Sequence, residues 1–232
     1  MSLTFRALAA LIAYPTEQTR ELLPEVTQVL EQDLRIPAPI RGALKKLAGE
    51  IGAGDLFDAQ EAYVWLFDRT RSLSLNLYEH VHGESRDRGQ AMVDLLELYR
   101  THGLELSANE LPDHLPVFLE FLSTLSDEEE ALSLLGEAGH VLHVLGERLH
   151  RRSSSYRAVF GALAALAAAE ADSAILAAML AEPDDDPNDL VTMDRLWAEN
   201  PVNFGPGDSG CPEVSGLDRG RAAIQAPSGA AA

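Results

Sequence analysis

The sequence predicts an all-α fold: a single-domain helical bundle followed by a flexible C-terminal tail. Three observations predict it. Apolar residues recur at i, i+3, i+4 and i+7 along most of the chain. No segment of useful length alternates apolar and polar residues with β-branched enrichment. The 232 residues, 46 % of them hydrophobic, suit one domain with a sizeable core, or one domain with an extended tail.

The elements follow in order. Phe5, Leu8 and Ile12 share one face of a first helix over 3–13, which stops before Pro15. Further helices are expected over 17–33, 38–51, 57–70, 73–81 and 87–102. Within 57–70, Tyr63, Leu66 and Phe67 share a face, which spacing alone reads as aromatic core, while Trp65 points elsewhere. Gly83 ends the helix over 73–81, and Glu84-Ser85 opens the next, whose buried face is Met92, Leu95, Leu96 and Tyr99. Leu115, Phe118, Leu119, Leu122 and Leu125 mark a helix over 112–125. Pro112 suits its first turn, where the missing N–H costs nothing, and Asp113 complements the positive end of its dipole. A long helix over 127–151 carries Leu135, Ala138, Leu142, Leu145 and Leu149. At its start the Ser126 hydroxyl caps a backbone N–H and Glu129 reaches back to the cap. Tyr156, Val159, Phe160 and Leu163 mark a helix over 154–170, and a last one spans 172–181. The sum is a bundle of about eight to ten helices with short connections.

The helical domain is expected over 1–182. Glu182-Pro183-Asp184-Asp185-Asp186-Pro187 ends it, because two prolines and mutually repelling carboxylates oppose a helix. Residues 183–199 then read as an acidic linker, with a short helix over Asp189–Glu199 built on Met193, Leu196 and Trp197. Residues 200–232, rich in Pro, Gly and Ala, are expected to be disordered.

A net charge of −19 bounds the partners. Nucleic acid is disfavoured, because phosphate backbones need Lys and Arg. Docking on an anionic membrane surface is disfavoured for the same reason. A basic peptide or protein is favoured, since opposite charge steers encounter. Cys211 is the sole cysteine, so no intrachain disulfide forms, which fits a reducing, cytoplasmic setting. The N-terminus lacks a basic n-region, and Arg6 interrupts its apolar run, so it does not read as a signal peptide. The Ala-rich run over 158–169 is closed by Glu170 and Asp172, far short of a membrane span.

Few constellations carry chemistry. His80 and His82, at i, i+2, face different sides of a helix and lack a supporting cysteine or HExxH motif, so no metal site is expected. Gly205-Pro206-Gly207-Asp208-Ser209-Gly210 spells G-x-G-x-x-G but follows no strand and opens no helix. No nucleophile elbow or P-loop occurs. An all-α metal-dependent phosphohydrolase would need a His-Asp dipeptide; this chain has Asp113-His114, the reverse. What remains is Glu110-Leu111-Pro112-Asp113-His114, where two acids and an imidazole meet the start of an apolar helix. Asp113 and Glu110 stabilise a helix start on one reading. On the other, they and His114 hold a ligand. Arg86, Asp87 and Arg88 form a dense charge cluster, read either as an ion-pair brace or as a contact to a partner.

These residues resemble a known family. Glu110-Leu111-Pro112-Asp113-His114 is similar to the E-x-P-D-H signature of the TorD-like redox-enzyme maturation chaperones, and Tyr63-x-x-Leu66-Phe67 is similar to their second landmark. Leu11-Ile12-Ala13-Tyr14-Pro15, the block Glu79 to Met92, and Trp197-Ala198-Glu199-Asn200-Pro201-Val202 resemble a narrower branch, the NarJ or nitrate reductase delta subunits. The resemblance spans roughly residues 5 to 205 and implies an all-helical fold. It also implies a dedicated assembly chaperone rather than an enzyme or a subunit of the finished one. Such chaperones bind the N-terminal segment of the catalytic (alpha) subunit of respiratory nitrate reductase. They hold the apo alpha–beta complex in the cytoplasm while molybdenum cofactor and iron–sulfur centres are inserted, before membrane anchoring.

On this reading a peptide groove is lined by Tyr63, Phe67, Tyr78, Glu84, Arg86, Asp87, Glu110, Asp113, His114 and Phe118. Aromatics take the apolar face of the peptide, and Glu110 and Asp113 attract its basic side. No catalytic residue, metal, cofactor, nucleic acid or direct membrane insertion is expected. The alternatives are chaperoning of another molybdoenzyme and, from a different class, the phosphohydrolase.

Overall fold

Among the described residues, eleven α-helices and no strand make up the fold. The computed structural model describes residues 2–83, 85–106, 110–167 and 173–181. The expectations for 183–199 and 200–232, and the placement of Glu84, lie outside them.

Helix α1 (Ser2–Ile12) is the centre of the core: Phe5, Leu8, Leu11 and Ile12 have no exposed surface. It packs against α7 (Leu115–Thr124), whose Leu115 and Leu119 are equally buried, and against α2 (Glu17–Gln32). Thr16 caps α2 by accepting from the Thr19 N–H at 3.0 Å. Helix α3 (Ala38–Gly52) follows with proline in its first turn. Its last carbonyls, which a helix end leaves orphaned, are taken by Arg20: Nε donates to Ile51 O at 2.9 Å, and Nη2 donates to Ala53 O at 3.3 Å. The second layer is α9 (Gly139–Arg151) against α10 (Arg157–Ala167), which also contacts α3.

Helix boundaries differ from expectation at four places. The helix expected over 57–70 is α4 (Leu56–Tyr63) followed by a wide π turn over Val64–Asp68, closed by the Arg69 N–H on Val64 O at 2.9 Å. A 3₁₀ turn over Arg71–Leu73 leads to a shortened α5 (Leu77–His82). Pro112 and Asp113 do not start α7. Pro116 takes the first-turn position, and Leu111–His114 is a β-turn closed by the His114 N–H on Leu111 O at 3.1 Å, with His114 extended at the helix entry. The long helix expected over 127–151 is broken at Ala138 into α8 (Glu128–Glu137) and α9, with glycines at 136 and 139 flanking the break. The cap of α8 is Asp127, which accepts from the Glu129 N–H at 2.9 Å; Ser126 does not hold that position. Helices α6 (Arg86–Thr101) and α11 (Ser173–Ala181) stand close to their expected bounds.

An ionic knot joins the two ends of the core. Thr4 Oγ1 donates to Asp33 Oδ2 at 2.7 Å, Arg35 Nε donates to Asp33 Oδ1 at 2.8 Å, and Arg35 Nη1 reaches Glu128 Oε1 at 2.6 Å. The Arg35 hydrogen bonds hold the Asp33 carboxyl well below the usual carboxylate range, against the opposing effect of burial. A lowered folded pKa gives stability that is present above the unfolded value and lost as pH falls through the folded one. Arg35→Ala is therefore expected to cost about 1 kcal/mol at neutral pH, a modest figure because solvent screens the arginine. The gap between variant and wild type in urea midpoint should close as the pH is lowered from about 6 to about 2. A gap constant across that range would refute the role given to Asp33.

Candidate functional site

Residues 75–77 and 113–115 lie antiparallel, paired through an isolated bridge between Asn76 and His114. The Leu77 N–H donates to Asp113 O at 3.0 Å, and the Leu115 N–H donates to Leu75 O at 2.9 Å. The buried Tyr99 hydroxyl donates to Pro112 O at 2.6 Å and fixes the entry to this pairing. Pro112, with no N–H to satisfy, suits the second position of the buried Leu111–His114 turn, where its carbonyl alone needs a partner.

Asp113 is fully buried. Its Oδ2 accepts from the Tyr78 N–H at 3.0 Å, so it caps the first turn of α5 from across the chain. Its Oδ1 has no hydrogen-bond partner. Burial raises the Asp113 pKa; the Tyr78 N–H and the charge of Arg88 oppose that rise. His114 is partly buried, with Nδ1 3.3 Å from Glu110 Oε2 but outside hydrogen-bond geometry. Burial lowers the imidazole pKa against the pull of Glu110, Asp113 and Asp68, so the ring is neutral at neutral pH.

Two cavities open on either side of this wall. The first, about 400 Å³, is polar. Asp68, Glu79, Glu110 and His114 line it, together with Phe67 and with Arg71, which pairs with Glu79 at 3.2 Å. The second, about 350 Å³, is apolar at its base, with Leu77, Leu95, Leu98, Phe118 and Val141. Three carboxylates, Asp94, Asp113 and Glu137, are set into it beside Tyr78. Those carboxylates, after burial, push the Tyr78 hydroxyl pKa up. Three acids against an apolar base suit a ligand with one greasy side and one cationic side.

The expected site residues divide accordingly. Phe67, Glu110 and His114 line the first cavity. Tyr78, Asp113 and Phe118 line the second. Tyr63 lines neither. It is buried, its hydroxyl donates to Ile12 O at 3.0 Å, and its ring meets Tyr14, Phe67 and Tyr156. It therefore positions Phe67 from behind. Arg86 and Asp87 are exposed in the first turn of α6 and line neither cavity. Asp68, Asp94 and Glu137 were not singled out from the sequence. Each stands on a helix or turn that only tertiary packing brings to the wall, and no spacing connects them. No group of three or more His, Cys, Asp or Glu among the described residues is arranged to hold a metal ion. No helix among them is long and apolar enough to cross a membrane.

Comparison with known proteins bears on what this wall belongs to. Residues 33–162, more than half of the chain, match the profile of the family described as nitrate reductase delta subunit. The chain belongs to the nitrate reductase delta subunit family. It is 41 % identical over 206 residues to the nitrate reductase molybdenum cofactor assembly chaperone NarJ of Escherichia coli (strain K12). That alignment covers 88 % of this chain and 85 % of that protein. It is 38 % identical over 200 residues to a second protein of the same strain, named "Probable nitrate reductase molybdenum cofactor assembly chaperone NarW", covering 86 % of this chain and 82 % of the other. A Bacillus subtilis (strain 168) relative, named "Probable nitrate reductase molybdenum cofactor assembly chaperone NarJ", is 28 % identical over 66 % of this chain and 82 % of its own length. In this delta subunit family member the two sequence landmarks meet in space: Phe67, from the aromatic block, and Glu110 and His114, from the acidic one, line one cavity.

Proposed function

We propose that this chain is an assembly chaperone of a respiratory nitrate reductase. It binds the N-terminal segment of the apo catalytic subunit in the cytoplasm, while molybdenum cofactor and iron–sulfur centres are inserted and before the enzyme meets its membrane anchor. The names of the relatives support the nitrate reductase target over another molybdoenzyme. The observation that carries a peptide-binding role is the pair of cavities on one wall, one polar and acidic, one apolar and edged with acid.

An amphipathic basic segment laid across Asp113–His114 puts its apolar face on Phe118, Leu95 and Leu98. Its Arg or Lys side chains meet Asp94 and Glu137 on one side and Glu110 and Asp68 on the other, with the buried Asp113 carboxylate adding its field from behind. Nothing in this needs a bond to be made or broken. Binding by side-chain burial and ion pairing is also reversible, as a chaperone that must release its client requires.

Isothermal titration with a peptide of the catalytic subunit's first residues tests the reading. Saturable one-to-one binding is expected, and no heat at sub-millimolar peptide would sink it. The affinity should fall as salt rises, because the carboxylates edge open cavities that ions reach. A salt-independent constant would leave the apolar base as the whole of the site and remove the acids from the argument.

A further inference from the structure

A third cavity, about 420 Å³, shares no residue with the two at the wall. Helices α3 and α9 both pack on α10, and the cavity is the furrow they leave between them. Ile40 and Ala43 form one side, Leu142 and Gly146 the other, and Gly161 and Ala164 the floor. Its two glycines are there for different reasons. A Cβ at position 146 would lie 3.1 Å from Phe160 Cβ, so the close crossing of α9 over α10 explains the first. A Cβ at position 161 would meet Ile40 no nearer than 3.5 Å, an ordinary contact. Gly161 stands inside helix α10, where alanine is the more stable choice. The fold thus gives no reason for it. What the glycine does is keep the floor of the furrow bare, so that another backbone can approach closely.

The furrow also differs from the wall in charge. Each wall cavity is lined by three carboxylates. Among the described residues, Glu147 is the one carboxylate that lines this cavity, and Arg151 Nε holds it at 3.5 Å. Further along α3, Glu50 is paired with Lys46 at 3.4 Å. Arg157, exposed at the rim, donates to His150 Nδ1 rather than to a carboxylate. Each of these two acids thus has its own basic partner, and Arg157 is in excess. On a chain of net charge −19, the described edge of this apolar furrow is cationic.

We propose that the furrow between α3 and α9 is a docking surface for an amphipathic helix of a partner protein, one that lays its apolar face on Gly161 and carries an acid at its edge for Arg157. Sides and floor are all helices, so the occupant packs as one more helix set into the groove between two others. Charge complementarity fixes its chemistry. A basic segment is drawn to the carboxylates of the wall, whereas the furrow favours an acidic edge. The two surfaces therefore sort partners by sign, and this one is independent of what the wall binds.

Amide-resolved NMR titration of the full chain with two designed helical peptides tests it. Both carry leucine and alanine along one face; one has glutamate along its edges, and its twin has lysine there. The glutamate peptide is expected to shift the Gly146 and Gly161 signals saturably, and the lysine twin to leave them in place. Gly161→Ala should raise the unfolding midpoint by about 1–4 °C, because a helix-interior glycine is removed. The same variant should weaken the glutamate peptide about threefold to tenfold, because its methyl group occupies the floor. A merely structural glycine would not move the two readouts in opposite senses. Arg157→Glu should weaken the glutamate peptide about threefold to tenfold and admit the lysine twin. No response of Gly146 and Gly161 to millimolar glutamate peptide, an equal response to both peptides, or a lowered midpoint in Gly161→Ala overturns the proposal. So does a shift of those signals that grows with the chain's own concentration, because the occupant would then be a second copy.

Discussion

Replacing Asp113 by Ala is expected to cost the fold about 2 kcal/mol, while replacing it by Asn costs less than about 0.5 kcal/mol at neutral pH. Ala strips the cap from the Tyr78 N–H and leaves a void at a fully buried position. Asn keeps the oxygen on that N–H and removes a charge that burial disfavours. The pH dependence separates the two further. A raised folded pKa gives stability that is fully present below the ordinary carboxylate value and lost as pH rises through the folded one. The wild type therefore loses stability relative to Asp113→Asn as the pH rises from about 4 to about 7. Thermal unfolding should place the Ala variant about 4–8 °C below wild type at neutral pH. Peptide binding should rank them otherwise: Asn, stable but uncharged, is expected to bind about 5–30-fold more weakly. A carboxylate that Asn could replace without loss to the fold is kept for a ligand. Asn binding as tightly as Asp would show that Asp113 is there for the cap alone.

Ala138→Trp is expected to abolish peptide binding, weakening it by about 100-fold or more, while leaving the fold intact. Ala138 is the joint of α8 and α9, in ordinary right-handed backbone geometry at φ −83° and ψ −1°, and it lines the apolar cavity. An indole there occupies much of a 350 Å³ space that a helical peptide would otherwise fill. Ala138 is only half-buried and the space beside it is open to solvent, so the unfolding midpoint should move by only about 2 °C. An unchanged dissociation constant would move the peptide to the polar cavity. Glu110→Gln would then be the variant that weakens it.

The helices were legible wherever one apolar stripe meets one core. Phe5, Leu8 and Ile12 announced α1, and Leu115, Leu119 and Leu122 announced α7, because burial imposes the 3.6-residue period directly. Features that depend on a partner far along the chain were not legible. Pro112 looks like a helix start, yet its carbonyl is held by Tyr99 and its neighbour caps a different helix. The π turn after Tyr63 keeps the apolar spacing of an α-helix, so the pattern does not betray it. The break at Ala138 hides within a continuous apolar stripe that serves both α8 and α9. The site was half legible for the same reason. The motif residues Phe67, Glu110, His114, Tyr78, Asp113 and Phe118 were singled out through the family resemblance, while spacing alone reads Phe67 and Phe118 as core. Asp68, Asp94 and Glu137 are exposed surface acids, and only packing brings them together at the cavity rims.

The pairing of 75–77 with 113–115 carries a thermodynamic consequence. Its two halves are far apart in the sequence, so neither cavity exists in a fragment or in a chain whose α5 region has come away from α7. A peptide seated on that wall binds the native state and not the unfolded one, and mass action then couples client to scaffold. At a free concentration of about 100 times the dissociation constant, the peptide adds about 2.7 kcal/mol to the protein's stability. The empty protein is the more easily unfolded and digested form, so its abundance in a cell would follow the supply of immature client.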